Sequence, residues 1–207
     1  MFPVRRSALL VALGLGLASP LRAQDSKFLN HRLDVMPLAG QKVAILPITY
    51  VVADPAVTSD SAWGPWAERI PALRRADSLV DAALTERSPE VNWVLPAELR
   101  KISRRAGGML ADPDEMGQAM LRNERLKDVP DQLASPLRKY SAMAGGRMVL
   151  VPAALAFSRD SAGAWRADLS LALVDSRKAV VVWRSLATGH GSSPDLAAQR
   201  AAGTVFP

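Results

Sequence analysis

The chain has 207 residues, of which 49% are hydrophobic, with a formal net charge of +6 and no cysteine. Without cysteine there are no disulfides, thiolate metal sites, nucleophilic thiols or lipoprotein acylation site, so we expect no lipid anchor. The length suffices for one core, and the charge is too low for nucleic-acid binding, which needs basic residues concentrated on one face.

The first segment has the residue order of a secretory signal. Arg5 and Arg6 precede an apolar run from Ala8 to Ala18, and Ala23 closes a small-residue cleavage site. The run is too short to span a bilayer comfortably, although an uncleaved anchor helix is the alternative. Cleavage would remove three arginines and leave 23 basic against 20 acidic residues. We therefore predict a periplasmic protein without a later transmembrane segment, with a signal peptide at 1–23, a polar lead-in at 24–41 and a single α/β domain at 42–207.

The first half of the domain is predicted to alternate strands and helices. A β-branched apolar run, 42–48, indicates a buried strand with Pro47 at its end or at an edge. Residues 51–72 contain three prolines and no periodicity, which predicts a long loop. Helical spacing from Leu73 predicts a helix that ends at Ser88.

The middle of the chain is predicted to hold a short strand and three helices. Residues 91–95 alternate as in a strand, and Pro96 begins a helix that Gly107-Gly108 ends. The order of residues in Asp112–Glu115 is typical of a capping box at a helix start, and it lacks the ligand spacing of a calcium site. Another helix is expected at Ser135–Ala144.

The last third is predicted to be mostly strands. Arg147 to Phe157 is an apolar strand, and Pro152 indicates a bulge or bend within it. Residues 165–173 alternate with period two, and 180–187 return as the antiparallel partner, followed by a loop at Gly189–Ser192. Ser193-Pro194 caps a final helix. The order predicts an α/β (α+β) fold: a mixed sheet of about five strands flanked by helices, ending in an antiparallel hairpin and a C-terminal helix.

Four short sequence motifs follow one another along the chain. They are Val43 to Ile48 with Pro47, Pro96 with Glu98 and Leu99, Gly145 with Met148 to Val151, and Asp175 with Trp183. Over residues 42–188 the chain resembles a family of bacterial envelope domains. That family contains the amino-terminal domain of TolB, the lipoprotein of the curli secretion channel and the lipoprotein activators of penicillin-binding proteins.

The resemblance implies a scaffold or accessory role, because the family shares no catalytic site and its members dock on other envelope components. The chain departs from the family pattern at Arg147, Pro152 and Ala179, where the family has aspartate, glycine and glycine. It also lacks the alternating stretches of about 10 residues that membrane-crossing hairpins need, which disfavours pore formation.

The two histidines are the first candidates for catalysis or metal binding. His31 lies in the polar lead-in without a carboxylate cluster, which indicates a solvated side chain. His190 lies in a glycine-flanked stretch that could expose an imidazole beside hydroxyls or form a flexible loop, and it lacks the context of a hydrolase serine. Neither Gly107-Gly108 nor Gly145-Gly146 extends to a phosphate-binding pattern, so we predict no catalytic residue, cofactor or metal.

Aromatic residues suggest one candidate surface. Trp93, Trp165 and Trp183 lie on predicted strands, where core or sheet-face packing is expected. Trp63 and Trp66 lie in the proline-rich loop instead. They are either a buried satellite cluster or exposed anchors of an interface.

Basic residues suggest a second surface. Four of them follow the second strand, and three more lie on the next predicted helix: Arg100, Lys101, Arg104 and Arg105, then Arg122, Arg125 and Lys127. The face is either an ordinary solvated helix face or a contact for anionic envelope material or an acidic partner. Methionines at 109, 116 and 120 accompany it, and on a helix they are more typical of a core than of a binding groove.

These observations favour a non-catalytic periplasmic accessory or assembly protein that acts by binding envelope proteins. The candidate contact residues are Trp63, Trp66, Arg100, Lys101, Arg104 and Arg105. The alternative is a small-molecule or glycan-binding protein that uses the sheet edge and the Trp63/Trp66 loop, and an envelope hydrolase is the least supported hypothesis. No nucleic-acid partner is expected, and the oligomeric state, including a homo-oligomer, stays open.

Overall fold

The computed structural model describes residues 27–206, so the predicted signal peptide at 1–23 lies outside the described residues. The strands of this part are β1 Lys42–Ile45, β2 Val51–Ala53, β3 Asn92–Val94, β4 Met148–Arg159, β5 Trp165–Asp175 and β6 Val180–Gly191. Its α-helices are α1 Pro55–Thr58, α2 Arg69–Arg87, α3 Pro96–Arg105, α4 Asp131–Ala144 and α5 Pro194–Val205. Short 3-10 helices lie at Met36–Leu38, Ser61–Trp66 and Gln118–Arg122. Across 27–206, no helix has the length and apolar character that crossing a membrane requires.

The six strands form one mixed sheet in the order β3-β1-β4-β5-β6, with β2 also paired to β4. β1 runs parallel to β3 and β4, whereas β4, β5 and β6 are successively antiparallel. The predicted fold class is therefore confirmed. β1 and β2 lie along the same side of β4 because the chain leaves the sheet at Pro47, which cannot donate a ladder hydrogen bond.

Helices cover both faces of the sheet, because successive side chains of a strand point to opposite faces. Val43 and Ile45 of β1 point into the core cluster beneath α2 and α5. Ala44 and Leu46 point into a second cluster, beneath α3 and α4. The two faces of β1 are both fully buried, which explains the continuous apolar run in its sequence.

The register of the hairpin confirms the period-two pattern and extends it. β5 buries Trp165, Leu169 and Leu171 on one face, while the alternate residues of its first half are half-buried. A bulge between Pro152 and Ala154 in β4 confirms the predicted irregularity. Ala179, where the family has glycine, adopts φ 54°, a left-handed conformation that glycine takes at lower cost.

The predicted loop at Gly189–Ser192 is wrong, because β6 continues to Gly191. Gly189 and Gly191 have no side chain, which lets α5 approach β6 closely. A Cβ on Gly189 would lie 2.2 Å from the carbonyl oxygen of Ala197 and 2.2 Å from the nitrogen of Ala201. The glycines therefore indicate close packing of a helix on a strand.

Two further element predictions need correction. Residues 51–72 are not one long loop, since they contain β2, α1, a 3-10 helix and the first residues of α2. Asp112–Glu115 begins no helix: the Asp112 carboxylate accepts a hydrogen bond from the Asp114 N–H at 2.9 Å within a turn. The charged helix expected to follow is reduced to the 3-10 turn Gln118–Arg122, and α4 begins at Asp131, four residues before its predicted start.

The outer edge of β6 is paired with other parts of the same chain. The N–H of Leu186 donates to the carbonyl of Phe28 at 3.1 Å, and the N–H of Asn30 donates back to Leu186 at 2.9 Å. Farther along, the N–H of Val181 donates to the carbonyl of Lys127 at 2.8 Å. The lead-in also contributes to the first core cluster through its apolar residues Leu33, Val35 and Leu38.

Candidate functional site

A groove of about 850 Å³ lies between α3, α4 and the loop that follows α3. Its apolar lining comes from Ile102 and Ala106, from Met109 and Leu110, and from Ala142 and Met143, with Arg105 and Lys139 completing it. The alanines leave space between the helices because neither carries a side chain beyond Cβ. The result is an apolar channel bounded by cations.

The loop on one side of the groove is fixed by local geometry. Gly107 and Gly108 take φ angles of 56° and 89°, which end α3 and redirect the chain. The hydroxyl of Tyr140 then donates to the carbonyl of Ala111 at 2.5 Å. Nζ of Lys139 donates to the carbonyl of Met109 at 3.4 Å, so two hydrogen bonds from α4 hold the backbone around Met109 beside that helix.

Met109 and Met143 are the exposed apolar residues of the groove. Their exposed fractions are 75% and 60%, although methionine in a folded protein is usually buried. Flexible, polarizable thioether side chains adapt to a bound surface at low cost. The prediction that Met109 lies on a helix and fills the core is wrong, whereas Met116, at 8% exposed, is a core residue.

The chain around the groove contains no acidic residue over two long spans, 99–111 and 132–147. The same spans contain seven basic residues: Arg100, Lys101, Arg104, Arg105, Arg138, Lys139 and Arg147. Five of them are exposed and belong to α3 or α4, because Arg100 is turned inward and Arg147 precedes β4, where it pairs with Asp175. Of these five, Arg105 of α3 and Lys139 of α4 line the groove, so the groove carries a cation on each side.

Arg100 was predicted to lie on the exposed basic surface, but its side chain points into the fold. Its guanidinium lies 2.6 Å from the Asp77 carboxylate of α2 and 2.7 Å from the Asp114 carboxylate, and its side chain is 12% exposed. The N–H of Ile48, after β1, donates to the other oxygen of Asp77 at 2.8 Å. This network ties α2, α3 and the end of β1 together, so Arg100 is a connection inside the fold.

The titration of Asp77 is set by opposing influences. Burial raises the pKa of its carboxyl group to about 8, and the hydrogen bond from Ile48 opposes that shift. The ion pair with Arg100 also stabilises the ionised form. When it is ionised, Asp77 is therefore a buried charge that depends on Arg100 for compensation.

The other predicted basic residues lie in three separate places. Lys101, Arg104 and Arg105 are exposed on α3, and Lys101 pairs with Glu98 at 3.3 Å. Arg122 lies at the end of a 3-10 helix, with its guanidinium 4.7 Å from the ring centre of Tyr50. Arg125 and Lys127 lie in irregular chain and do not line the groove.

Trp63 and Trp66 belong to a buried aromatic cluster. They are 8% and 2% exposed, and their rings contact each other and Phe157 at centroid distances between 4.7 and 6.2 Å. The indole N–H of Trp66 donates to Asp195 of α5 at 3.1 Å. Packing, the first alternative, describes this arrangement, and a partner-binding role for the two rings stays a prediction.

A second cavity, of about 340 Å³, lies between the Trp63/Trp66 loop and β2. It is lined by residues from both elements, including Tyr50, Val52, Trp63, Trp66 and Arg69. The sheet edge and the tryptophan loop of the alternative hypothesis therefore share one cavity, near the lower limit of small-ligand sites.

His31 and His190 line neither of these two cavities, but His190 lines a third one, of about 650 Å³, together with residues of α2 and α5. Nδ1 of His190, on β6, is 2.8 Å from an Asp160 carboxylate oxygen, and no serine or threonine hydroxyl of residues 27–206 shares a hydrogen bond with the ring. His31 stacks on Trp183 at a centroid distance of 6.4 Å. Within the same residues, no group of three or more His, Cys, Asp or Glu side chains is placed to hold a metal ion.

Lys139, Ala142 and Met143 form the second wall of the groove, and they were not among the predicted site residues. A signal was present, because the buried stripe of α4 passes through Leu133, Leu137 and Tyr140 and excludes Met143. A methionine outside such a stripe, in a span without acidic residues, indicates an exposed apolar position.

No protein-family model matches the chain, and no curated protein matches it. Similar solved structures include the C-terminal domain of LpoB from Salmonella enterica, with 13% identity, a TM-score of 0.42, and coverage of 75% of this chain and 84% of that one. The PelC dodecamer from Paraburkholderia phytofirmans has 14% identity and a TM-score of 0.35, covering 80% and 84%. Lipoprotein GNA1162 from Neisseria meningitidis has 15% identity and a TM-score of 0.31, covering 74% and 82%. TM-scores this low carry no argument about function.

Proposed function

We propose that this chain is a non-catalytic accessory or assembly protein of the bacterial envelope, and that it binds a protein partner through the groove between α3 and α4. The observation that carries the proposal is an apolar channel with two largely exposed methionines on a folded, cysteine-free domain. Exposed apolar patches rimmed by polar residues mark interaction sites. The family resemblance of residues 42–188 supports an envelope location and a docking role.

Site-specific photocrosslinking tests this function in cells. A photoreactive phenylalanine derivative replaces Met109 or Met143 in turn, and the matched controls carry it at Ile70 and Val182, which are also large exposed apolar residues. We expect the same envelope protein to be crosslinked from both groove positions and from neither control. Equal crosslinking at all four positions, or none at the groove positions, contradicts the proposal.

Binding of the identified partner is then measured with purified proteins. Met143→Glu places a charge in the apolar channel, so we expect binding to weaken by about tenfold or more, which corresponds to the loss of one central interface contact. Ile70→Glu is the control and leaves binding unchanged. Unfolding curves of both variants show whether the domain remains folded.

The cavity beside Trp63, Trp66 and β2 supports a second candidate function, the binding of a small molecule or glycan. A ligand of that cavity raises the melting temperature of the native protein because it binds only the folded state. We would measure melting temperatures against panels of metabolites and envelope glycans. Val52→Trp, which fills the cavity mouth from an exposed position, abolishes any such rise that originates there.

A further inference from the structure

We infer that the groove between α3 and α4 binds an amphipathic helix whose apolar face is flanked by acidic residues, an inference that rests on the proposed function and names the chemistry of its partner. The shape of the site is the first support. The groove is bounded on two sides by helices, so a third helix lying in it completes a helical layer over that face of the sheet. Helices enter such grooves through apolar residues spaced at i, i+3, i+4 and i+7.

The dimensions of the site are consistent with a helical partner. α3 has ten residues, which corresponds to a length of about 15 Å at 1.5 Å per residue. A partner helix of about three turns would span the same length and present two or three apolar anchors. Met109 and Met143 lie at the edges of the groove, where their flexible side chains can adapt to those anchors.

Charge selects the flanking residues of the partner. The spans 99–111 and 132–147 supply Lys101, Arg104, Arg105, Arg138 and Lys139 as exposed cations, and they contain no acidic residue of their own. A partner with acidic residues beside its apolar face gains attraction on both sides of the groove. The chain's own residues 1–26 carry three arginines and one aspartate, so their charge has the same sign as the rim and they are the weaker occupant.

A lipid surface fits the geometry less well than a helix does. Ala106 at the floor of the groove is 8% exposed, and the most exposed apolar atoms belong to the methionines at the edges. A flat bilayer would reach the edges and leave the floor without a contact. A helix, whose side chains project from a narrow cylinder, reaches the floor as well.

A peptide-selection experiment tests the inference even while the natural partner is unidentified. The probe is a displayed library of random peptides of about 15 residues, which is about four helical turns. The library is first depleted on the Met143→Glu variant and then selected on the wild-type protein. We expect the enriched peptides to share apolar residues at helical spacing and a net negative charge.

One enriched peptide is then measured by fluorescence anisotropy against two charge-reversal variants. Arg105→Glu with Lys139→Glu reverses two cations of the groove, and Arg125→Glu with Lys127→Glu is the control, which alters the net charge by the same amount at exposed positions outside it. We expect the groove variant to bind the peptide at least about tenfold more weakly and the control to bind it almost as the wild type does. A peptide with lysine in place of its acidic residues should recover binding to the groove variant.

Several results would overturn the inference. They are enriched peptides with strand-like alternation or no charge preference, no enrichment over the Met143→Glu variant, and equal binding to both charge-reversal variants. Binding of the wild type to vesicles of phosphatidylethanolamine and phosphatidylglycerol, lost in Met143→Glu, would assign the groove to lipid. A dimer in sedimentation velocity that Met143→Glu dissociates would assign it to a second copy of the chain. The photocrosslinking result stands apart from these outcomes, because it detects a protein partner of any structure.

Discussion

Substitution of Arg100 by methionine is the sharpest test of how the fold holds its charges. The change keeps a long apolar stem on α3 and removes the guanidinium that contacts Asp77 at 2.6 Å and Asp114 at 2.7 Å. Asp114 is about one quarter exposed and can turn to water, whereas the side chain of Asp77 is 6% exposed. Asp77 would keep one donor, the N–H of Ile48.

The magnitude follows from that uncompensated charge. Removing one partner of a buried ion pair costs about 3–5 kcal/mol, a large part of the roughly 5–15 kcal/mol that stabilises an ordinary domain. For a chain of this size each kcal/mol lowers the melting temperature by about 2–4 °C, so we expect a fall of roughly 6–20 °C above about pH 8, where Asp77 is ionised. Lys101→Met, one residue along the same helix, is the control: its ion pair with Glu98 is exposed and is worth at most about 1 kcal/mol.

Urea unfolding at two pH values provides the assay. Burial raises the pKa of Asp77 in the native protein to about 8, and removal of the guanidinium raises that pKa further. Near pH 5 the carboxyl group is therefore protonated in both folded proteins, whereas above about pH 8 the native protein holds an ionised Asp77 that the variant cannot compensate. The loss of unfolding free energy caused by Arg100→Met should be smaller near pH 5 than near about pH 9. A loss of unfolding free energy below about 1 kcal/mol at both pH values would refute this reasoning, because it would show that the ion pair of Arg100 is worth no more than an exposed one.

Two other substitutions test further parts of the structure. Gly189→Ala places a Cβ 2.2 Å from the nitrogen of Ala201, so we expect a loss of about 1–3 kcal/mol or more in urea unfolding, whereas Gly64→Ala, with open space around its Cβ, should be nearly neutral; equal effects would contradict the close packing of α5 on β6. Hydrogen bonding from Arg147 lowers the pKa of Asp175 to about 2, so its contribution to stability is present above pH 3.8 and is lost as the pH falls towards 2. Arg147→Gln should therefore melt at a lower temperature than the wild type at neutral pH and at nearly the same temperature at about pH 2, and a difference independent of pH would contradict this assignment.

The elements that the sequence predicted well are those whose pattern is long. β5 has eleven residues, and its alternation of apolar and polar side chains identifies both the strand and its buried face. The end of α2 at Ser88 and the end of α4 at Gly145 were also predictable. Each of these helices has several turns of helical spacing and a clear end signal. In these cases local propensity and tertiary packing favour the same structure.

The elements that it missed are short or depend on distant contacts. β2 has three residues and exists because β4 pairs with it, and α1 has four residues that begin after the capping aspartate Asp54. The pattern at Asp112–Glu115 predicted a capping box, but the Asp112 carboxylate accepts from the N–H of Asp114, Gly117 adopts φ 74° and no apolar stripe follows, so a turn forms instead of a helix. A capping pattern predicts the start of a helix only where the residues after it can bury one face of that helix.

The candidate site was predictable in part. The exposed cations of α3 were recognised, but nothing local shows that α4 lies beside them, or that Arg100 points the other way to reach Asp77, 23 residues earlier in the sequence. Such pairings are set by the order in which the helices cross the sheet. Burial of Trp63 and Trp66 likewise depends on Phe157 and Asp195, far along the chain.

The pairing of residues 28–30 with β6 bears on how pieces of this protein would behave. A strand edge with unpaired N–H and carbonyl groups is a template for joining another molecule, and proteins commonly protect such edges. Here the protection comes from the chain ahead of the sheet, through Phe28 and Asn30. A fragment that begins after Asn30 would retain β1 to β6 but expose the backbone of Leu186. We therefore expect such a fragment to fold and to be less soluble.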